Sequence, residues 1–342
     1  MSLQPRELDE AAALAIGHFD VDAVATTFVS ASENTVYRID TSDGHRYALR
    51  VHRPGYHDIA ELESENSWTS ALSDAGVETP RPVPTREGGG YAIVPYGEGG
   101  ETRYVGLIEW LEGEPMTALL DRGDPGLVAA CARLGELISR IHLQADTFVP
   151  PPGFVRHRLD VDGLIGDDPW WGPFWHVPEF SEQERRLVLK VREGIRRRLA
   201  AYGTGSGVFG LIHADLLPTN VLVRADGVVA AIDFDDAAFG YRLYDIAVPL
   251  TGLAEDRHFE QLHDALLTGY QRHRPLTAED LSLLPMFRLI RCLVEIGWFD
   301  SRLAGYLTYD RGAGGTREGL IPPLVVQALA LIEQVLPVLE NT

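Results

Sequence analysis

The chain is poor in cysteine and in basic residues, and each shortage argues against a class of protein. Its two cysteines, Cys131 and Cys292, lie far apart in apolar helical patterns without metal-site spacing, which is typical of buried thiols in a reducing cytoplasm. Thirty basic residues stand against fifty acidic ones, a formal charge of −20. A nucleic-acid or anionic-membrane partner would require a basic face, so neither is expected, whereas a cationic substrate would suit this charge.

No targeting signal, membrane span or internal repeat is expected from the sequence. The N-terminus has no basic start followed by an apolar core, so no signal peptide is expected. The most apolar segment, Leu320–Leu339, contains three prolines, two glutamines and a glutamate, and is predicted to be an amphipathic helix rather than a span. At 342 residues, 45% of them apolar, the chain is long enough for two lobes, each with its own core. We expect a cytoplasmic protein, and the sequence leaves its oligomeric state open.

One stretch, residues 211–247, carries the strongest signal. A short apolar run leads to Asp215, and Asn220 comes five residues later. Two alternating apolar runs then flank Ala225-Asp226-Gly227, which is the signature of a β-hairpin, and the second run ends on Asp233. Because a hairpin holds its two ends side by side, Asp215, Asn220 and Asp233 are predicted to converge.

Phosphoryl transfer is the chemistry that needs such a site. Mg²⁺ takes one or two side-chain oxygens besides phosphates and water, and the carbonyl of Asn220 and the carboxylate of Asp233 would supply them. Asp215, kept off the metal, would accept the proton of an attacking hydroxyl, in an H-x-D-x4-N layout that begins at His213. The alternative is a loop in which these residues cap turns and end a strand. Asp235 is a further candidate, for support of the loop or for contact with a substrate.

A second set of candidates lies upstream. Strands Thr35–Ile39 and Tyr47–Val51 are predicted on either side of an Asp-Gly turn. The small and hydroxyl residues that precede them would cover phosphates with backbone N–H groups or form a plain hairpin loop. The candidates in this patch are Ser30, Ser32 and Asn34.

Arg50 is a cation on the second of these strands. It would reach the α- and β-phosphates of a nucleotide, at a position where kinases usually carry Lys. In the predicted helix Ile59–Leu72, Glu65 is favoured as its partner because Glu65 lies one turn before Trp68, near the face that must pack. The rival partners on the same helix are Glu61 and Glu63.

The segment Glu109–Pro115 is predicted to cross between the lobes, after strands Tyr91–Pro95 and Tyr104–Leu111. Backbone groups at such a crossing, those of Glu109 and Leu111 among them, can hold an adenine ring. Three apolar side chains would sandwich the base or form plain core: Ile93, Leu222 and Ile232.

From Asp124 onward the chain is predicted to be helical. An aromatic loop, Asp160–Phe180, either covers a small ligand or fills a surface groove through Trp170, Trp171 and Trp175. The principal predicted helices span Leu127–Ile141, Glu182–Tyr202, Phe259–Tyr270 and Ala278–Trp298.

Roles are also predicted for four polar residues in or beside the predicted helices. His142, at the end of the first of these helices, is predicted to be a packing histidine. Asp245 opens a helix, which favours a capping role, and bracing of the catalytic loop is the alternative. Asp300 and Arg302 are candidates for a substrate cleft.

With these residues in place, the chain resembles the aminoglycoside phosphotransferase and choline kinase-like superfamily, and within it the homoserine kinase type II-like members. The resemblance rests on YALRVHRPGYH, ESENSWTSAL, HADLLPTNVLV and IDFDDAAFGYRLYDIAV, in family order. It implies an α+β, protein kinase-like fold of two lobes: a β-rich N-lobe over 1–107, a hinge over 108–115 and a mostly helical C-lobe over 116–342.

The resemblance also implies an activity and a set of roles. Members transfer the γ-phosphate of ATP to a hydroxyl of a small molecule, such as an amino alcohol, a hydroxy amino acid or an aminoglycoside. The implied roles are a base at Asp215, Mg²⁺ ligands at Asn220 and Asp233, a phosphate contact at Arg50 paired with Glu65, and bracing by His213 and Asp245. Arg50 departs from the usual Lys but keeps the positive charge.

Two other functions stay open. A protein Ser/Thr kinase would use the same scaffold, although too few residues follow Asp233 for a long activation segment and no A-P-E motif comes after it. A nucleotide-binding pseudokinase that acts as a regulator is favoured only by Arg50, because the base and both metal ligands are present.

Overall fold

A computed structural model describes residues 5–31, 34–97, 99–309 and 317–340, and the chain forms two compact units. Ser32 lies outside the described residues. The first unit comprises Met1–Glu112, Val149–Val155 and Ala304–Gly314, and the second comprises Gly113–Phe148, Arg156–Leu303 and Gly315–Thr342, each within the described residues.

An antiparallel sheet and two helices form the first unit. The helices are α1 (Pro5–Ile16) and α2 (Ile59–Asp74), and the strands are β1 (Ala23–Ala31), β2 (Thr35–Thr41), β3 (Arg46–Val51), β4 (Pro82–Val83), β5 (Tyr91–Tyr96) and β6 (Glu101–Glu109). The strand order is β1-β2-β3-β6-β4, and β5 also pairs with β6. One face of this sheet packs against α1 around fully buried Phe19, Leu49 and Val105.

Local sequence signals account for α2. Asp58 accepts a hydrogen bond from the backbone N–H of Glu61 (2.9 Å), and Glu61 accepts one in return from the N–H of Asp58, which is a capping box. The apolar residues Leu62, Trp68 and Leu72 recur at helical spacing and are buried. Glu65 lies on this buried side, with 4% of its surface exposed.

The second unit is mostly helical. Its helices are α3 (Met116–Asp121), α4 (Leu127–Thr147), α5 (Val161–Ile165), α6 (Glu182–Tyr202), α7 (Arg242–Gly252), α8 (Phe259–Gln271), α9 (Ala278–Tyr309) and α10 (Arg317–Glu340). Helices α4 and α8 pack so closely that a Cβ atom at Gly269 would lie 1.8 Å from the carbonyl oxygen of Ala132. Only glycine fits at this contact, which holds the two helices in a fixed register.

Two small sheets in the second unit position its polar residues. The strands are β7 (Glu114–Pro115), β8 (Arg158–Leu159), β9 (Phe209–Ile212), β10 (Val221–Val223), β11 (Val229–Ala231) and β12 (Ala238–Tyr241). The predicted hairpin is present, since β10 pairs antiparallel with β11, and β7 pairs with the other edge of β10. In the second sheet β12 lies between β8 and β9.

The structure differs from the sequence predictions at three places. A strand over Ala23–Ala31 precedes the predicted strand Thr35–Ile39 and forms the edge of the first sheet. Residues 238–241, where the sequence indicates no strand, form β12 because β9 offers them a hydrogen-bonding partner. Helix α9 continues past Trp298 to Tyr309.

The C-terminal helix is the most apolar element of the described chain. By length and composition alone, Gly319–Leu339 is long enough to cross a membrane, with a mean hydropathy of 1.7, and a third (33%) of that window is buried. Buried Leu339 packs against Gly194 of α6, and a Cβ atom at Gly194 would lie 3.1 Å from the Leu339 side chain. One face of this helix therefore packs against α6.

Candidate active site

The loop His213–Asn220 follows β9, and its backbone is strained at one residue. Ala214 has a φ of 68° and Asp233 a φ of 65°, and they are the non-glycine residues with positive φ among those described. Such a conformation costs on the order of 1–3 kcal/mol and persists only where the surroundings enforce it. The two strained residues therefore mark a built site, one just before Asp215 and the other at Asp233 itself.

Asp245 enforces the first strained turn. Its carboxylate is fully buried, and the backbone N–H groups of Ala214 (2.7 Å) and His213 (3.0 Å) both donate to it. The predicted capping role is wrong, because α7 begins at Arg242 without a side-chain cap and Asp245 lies within the first turn. The alternative, bracing of the loop, is what the structure shows.

A buried histidine supports Asp245 in turn. Nε2–H of His142 donates to Asp245 Oδ2 (3.0 Å), and the hydroxyl of Tyr270 donates to Nδ1 of His142 (2.9 Å). Burial lowers the pKa of His142 to about 4, so the ring is neutral at pH 7. Burial alone would raise the pKa of the Asp245 carboxyl, but the hydrogen bond from His142 and the N–H of His213 hold it below its ordinary value. His142 is thus more than the packing residue that the sequence indicated.

His213 ties the loop to the strand that leads to Asp233. Its Nε2–H donates to the carbonyl of Ile232 (3.0 Å), and the N–H of Asp215 donates to Nδ1 (3.3 Å). Burial lowers the pKa of His213, which keeps the ring neutral with one donor and one acceptor. A second link comes from the N–H of Ile232, which donates to the backbone carbonyl of Asn220 (3.0 Å).

Asp215 and Asn220 are in direct contact. The Asn220 side-chain amide donates from Nδ2 to both the carbonyl oxygen and Oδ2 of Asp215, at 2.9 Å each. Both bonds use the side-chain nitrogen, so the side-chain oxygen Oδ1 of Asn220 keeps its lone pairs for another ligand. The hairpin therefore brings Asn220 beside Asp215 and beside the residue that precedes Asp233.

Arg291, on α9, is a site residue that sequence reasoning missed. Its Nη2 donates to Oδ1 of Asp215 (2.9 Å), and only 8% of its side chain is exposed. Nη1 lies 3.5 Å from the hydroxyl of Tyr244, and Nε lies 3.7 Å from Oε2 of Glu295. Burial opposes the charge, but Tyr244, Asp215 and Glu295 raise the pKa of Arg291 well above its ordinary value, so it stays protonated.

Arg156 holds the segment after Asp233. Its guanidinium donates to the carbonyl oxygens of Asp235 and Ala237, which fixes the chain between Asp233 and β12. The Asp235 side chain is buried, with 6% exposed, whereas Asp233 is exposed. Of the two carboxylates, Asp233 is the one that solvent and ligands can reach.

Asn220 and Asp233 fit a hard divalent cation. One offers an amide carbonyl oxygen and the other an exposed carboxylate, which are the donors that Mg²⁺ takes together with phosphate oxygens and water. The described residues contain no group of three or more His, Cys, Asp or Glu arranged to hold a metal alone. A cation at this pair would depend on ligands from a bound phosphate.

In the first unit, Arg50 and Glu65 form a buried ion pair. Nη1 of Arg50 lies 2.7 Å from Oε1 of Glu65, and their side chains are 8% and 4% exposed. The rivals have other partners, because Glu61 caps α2 and Glu63 accepts from the N–H of Gly90 (3.0 Å). The pair favoured from the sequence is therefore the pair present in the structure.

The remaining first-unit candidates are placed as follows. Ser30 is an exposed residue near the end of β1, and Asn34 is buried, with its Oδ1 accepting from the N–H of Arg53 (3.2 Å). Glu109 ends β6, and its N–H donates to the carbonyl of Arg81 (2.9 Å). Two more candidates lie in the first unit: Leu111 is half-buried after β6, and Ile93 is exposed.

Leu222 and Ile232 lie in the second unit. Leu222 pairs with Pro115 in the small sheet, and a Cβ atom at Gly113 would lie only 3.1 Å from its Cβ. Gly113 has a φ of 150°, so glycine is required there on both counts. Ile232 is half-buried between Asn220 and Asp233.

The aromatic loop fills the second unit's interior more than it faces solvent. Trp171 and Trp175 are 2% and 8% exposed, the Arg192 guanidinium lies over the Trp175 ring (4.1 Å), and Trp170 stacks on His157 (4.2 Å). This packing favours the groove-filling alternative. Asp300 pairs with Arg317 (2.7 Å), and Arg302 lies over the ring of Trp298 (5.7 Å).

A cavity of about 400 Å³ opens beside the His213–Asn220 loop. Three of the residues that line it are carboxylates, none is basic, and one of them, Glu295, is the ion-pair neighbour of Arg291. The lining residues are Leu120, Leu217, Thr251, Gly252, Glu255, Asp256, Glu295, Leu324 and Gln327. Such a cavity complements a small cation.

A β-rich unit with a buried Arg–Glu ion pair, together with a helical unit that has an Asp–Asn loop and an exposed carboxylate after a hairpin, is typical of one class, the protein kinase-like phosphotransferases. Residues 24–279 match the Phosphotransferase enzyme family, so the chain belongs to this family. It is a small-molecule kinase that acts on an alcohol group.

Individual relatives agree with this assignment. The chain is 30% identical over 296 residues to a homoserine kinase of Rhodopseudomonas palustris (strain TIE-1), which covers 82% of this chain and 79% of the relative. A microcompartment-associated aminopropanol kinase superposes with a TM-score of 0.80 at 28% identity, covering 97% of this chain and 98% of that one. Amicoumacin kinase hAmiN, in complex with AMP-PNP, Ca²⁺ and Ami, shares the fold at 19% identity with a TM-score of 0.72, covering 100% and 95% of the two chains.

Proposed function

We propose that the protein transfers the γ-phosphate of ATP to a hydroxyl of a small amino alcohol, with Asp215 as the base. The observation that carries this proposal is the contact of Asp215 with Asn220 in a loop whose strained backbone is held by Asp245. A general base must be held in one orientation near the proton that it accepts. In the proposed step, the substrate O–H bond breaks, its proton passes to Asp215, the oxygen attacks the γ-phosphorus and ADP leaves.

Asn220 and Asp233 would hold Mg²⁺ together with the phosphates of ATP. When bound, the ion would neutralise charge on the phosphate oxygens. The protein's own part is to present the two oxygen donors at adjacent strand ends, which the hairpin and the bonds of His213 achieve. The AMP-PNP and Ca²⁺ in the amicoumacin kinase complex support a nucleotide and a divalent ion in this fold.

Arg50 would contact the α- and β-phosphates, and Glu65 would orient it. The buried ion pair supports this role, because the Glu65 carboxylate keeps the Arg50 guanidinium charged and in one orientation, and a guanidinium is a strong donor to phosphate oxygens. Backbone groups of Glu109 and Leu111, at the crossing predicted from the sequence, would hold the adenine, and the side chains of Leu222 and Ile232 would pack against it. Ser30 and Asn34 would contribute to the phosphate cover.

The charge of the cavity selects among acceptors. Glu255, Asp256 and Glu295 line it without a basic residue, and Arg291, which lies beside Glu295, is already paired with Asp215. An ammonium group would be attracted to this cavity, whereas a carboxylate would meet like charge without a free cation. An amino alcohol therefore fits better than a hydroxy amino acid such as homoserine. Since the thiols Cys131 and Cys292 are free and buried, we place the enzyme in the cytoplasm.

The test is ATP consumption over a matched panel of acceptors. The panel contains short amino alcohols, their N-acetyl derivatives, which lack the charge, and the corresponding hydroxy amino acids. We expect kcat/KM to be at least about tenfold higher for the amino alcohol than for either relative, since one ion pair is worth roughly 1.4 kcal/mol or more in a partly dry cavity. Higher efficiency with the hydroxy amino acid would contradict the assignment of the acceptor.

A further inference from the structure

We propose that Arg291 is the positioning residue of the base: its ion pair fixes the orientation of the Asp215 carboxylate for proton transfer. This inference rests on the proposed role of Asp215 as the base. It concerns a residue of α9, which lies 76 positions along the chain from the carboxylate that it contacts.

The two oxygens of Asp215 are held by two different residues. Arg291 donates to Oδ1 and Asn220 donates to Oδ2, each at 2.9 Å, from different elements of the second unit. A carboxylate held at one oxygen can still rotate about its Cβ–Cγ bond, whereas one held at both has a single orientation. Each oxygen has a further lone pair, so the held carboxylate can still accept a proton from a substrate hydroxyl.

The surroundings of Arg291 fix the guanidinium itself. Tyr244 of α7 and Glu295 of α9 lie on its other nitrogens, at 3.5 Å and 3.7 Å. Because Arg291 is buried and stays protonated, it does not exchange a proton with Asp215 during the reaction. The planar guanidinium is therefore held in one position between the Asp215 carboxylate and Glu295, which lines the cavity.

A purely structural role explains this pair less well. Burying an arginine and an aspartate removes both from water, and a buried ion pair often stabilises a fold no better than apolar residues of similar volume. Asp215 is 22% exposed on its side chain while Arg291 is 8% exposed, so the anion faces the solvent side and the cation lies behind it. This is the arrangement expected of a reactive carboxylate supported from within.

The experiment compares Arg291→Gln and Arg291→Lys with the wild type, using the best amino alcohol and ATP. Arg288→Gln is the matched control, because Arg288 lies one turn earlier on α9 with its guanidinium over Phe259 (4.5 Å) and does not contact Asp215. We expect Arg291→Gln to lower kcat about 100-fold, since a misplacement of the base by about an ångström has an effect of that size. The KM values for ATP and the acceptor should stay within about threefold.

Two further readouts separate positioning from folding. Arg291→Lys should recover about tenfold of the lost kcat because it restores the charge without the fork. Millimolar guanidinium ion should raise the kcat of Arg291→Gln and leave Arg288→Gln unchanged. A kcat for Arg291→Gln within about threefold of the wild type, or a loss that neither Lys nor guanidinium recovers, would overturn the proposal.

A double-mutant cycle on unfolding reports the ion pair without any activity. Asp215→Asn, Arg291→Gln and the double variant are unfolded in urea, and we expect the shifts of the midpoint to be non-additive. Additive shifts would show that the pair is absent in solution and would overturn the inference. If wild-type protein phosphorylates no acceptor while the shifts are non-additive, the proposed function fails and the ion pair stands.

Discussion

At the scale of single residues, the site depends on buried groups that hold a strained backbone. Ala214 adopts its positive φ because Asp245 accepts its N–H, and Asp245 is itself fixed by His142. The strain is thus balanced by charge-assisted hydrogen bonds within the second unit. This arrangement fixes the position of Asp215, the residue after Ala214.

Replacing Asp245 by Asn should therefore remove some of the hydrogen bonds that hold the His213–Asn220 loop. An amide has one acceptor and one donor group, so its NH₂ would face either the N–H of Ala214 or both the N–H of His213 and Nε2–H of His142, which now donate to the carboxylate. We expect a loss of about 2–3 kcal/mol of unfolding free energy, measured by urea denaturation, together with a fall in kcat.

The control for this prediction is Asp264→Asn on α8, whose side chain is 79% exposed. That variant should keep the stability of the wild type within about 0.5 kcal/mol. Equal stability of Asp245→Asn and Asp264→Asn would show that the carboxylate does not brace the loop.

Sequence reasoning found the residues whose partners are local and missed those whose partners are distant. Asn220 lies five positions from Asp215, and Glu65 lies one turn before a packing residue on a clear helix, so spacing sufficed. Arg291 and His142 reach the site from helices whose relative placement depends on tertiary packing. The available signal was that a charged residue, Arg291, and a polar one, His142, occur in apolar helical patterns, because a buried charged or polar group needs a partner.

The usual kinase lysine is replaced by Arg50, and composition explains much of this departure. Lys190 is the sole lysine in the sequence, so this chain uses arginine for nearly all of its cations. The pair of Arg50 with Glu65 is formed at 2.7 Å despite the change. The substitution is therefore weak support for a pseudokinase.

At the scale of elements, the hairpin β10–β11 sets the separation of the two metal-ligand candidates. Its turn has Gly227 at a φ of 81°, where the Arg133 guanidinium donates to the glycine carbonyl (2.6 Å). A Cβ atom at Gly227 would lie 2.0 Å from Nη1 of Arg133. The turn therefore requires glycine for its conformation and for this contact.

Gly227→Ala should destabilise the protein by about 1–2 kcal/mol, because alanine is strained at positive φ and displaces Arg133. Gly44→Ala is the matched control: Gly44 has a φ of 85° and no heavy atom within 4 Å of the added carbon. The difference between the two urea midpoints isolates the Arg133 contact. Identical midpoints would contradict a role for that contact.

The hairpin was predictable from sequence because its turn and its alternation are encoded within eleven residues of chain. Strand β12 was not, since its partner β9 lies about 30 positions away and its own four residues carry no alternating pattern. The aromatic loop stayed ambiguous because aromatic side chains fill cores and cover ligands equally well. Tertiary contacts decide in each of these cases.

At the scale of the whole molecule, buried neutral histidines in both units link stability to pH. Burial lowers the pKa of His52 to about 3 and that of His142 to about 4, and it also lowers that of His213. As the pH falls from 6.5 toward 4, His52 and His142 take up protons in the unfolded chain before they do so in the folded one. The unfolding free energy should therefore fall as the pH falls through this window.

For His142 alone, the expected loss of unfolding free energy by pH 4 is about 3 kcal/mol, because burial lowers its pKa to about 4. Glu295, whose pKa is raised by burial, opposes the trend. Urea unfolding at pH 7.5, 6, 5 and 4 measures the effect, and replacing exposed His176 by Gln should leave the curve unchanged. A flat curve between pH 6.5 and 4.5 would contradict the neutral buried state.

The central claim, that Asp215 is the base, is tested most directly by single-turnover transfer of phosphate from labelled ATP to the preferred amino alcohol. We predict that Asp215→Asn slows this step about 100-fold or more while nucleotide binding is retained, because general-base catalysis contributes factors of about 10²–10⁴. Thr219→Ala, an exposed change in the same loop, should transfer phosphate at the rate of the wild type. Equal rates of transfer in Asp215→Asn and wild type would contradict the account.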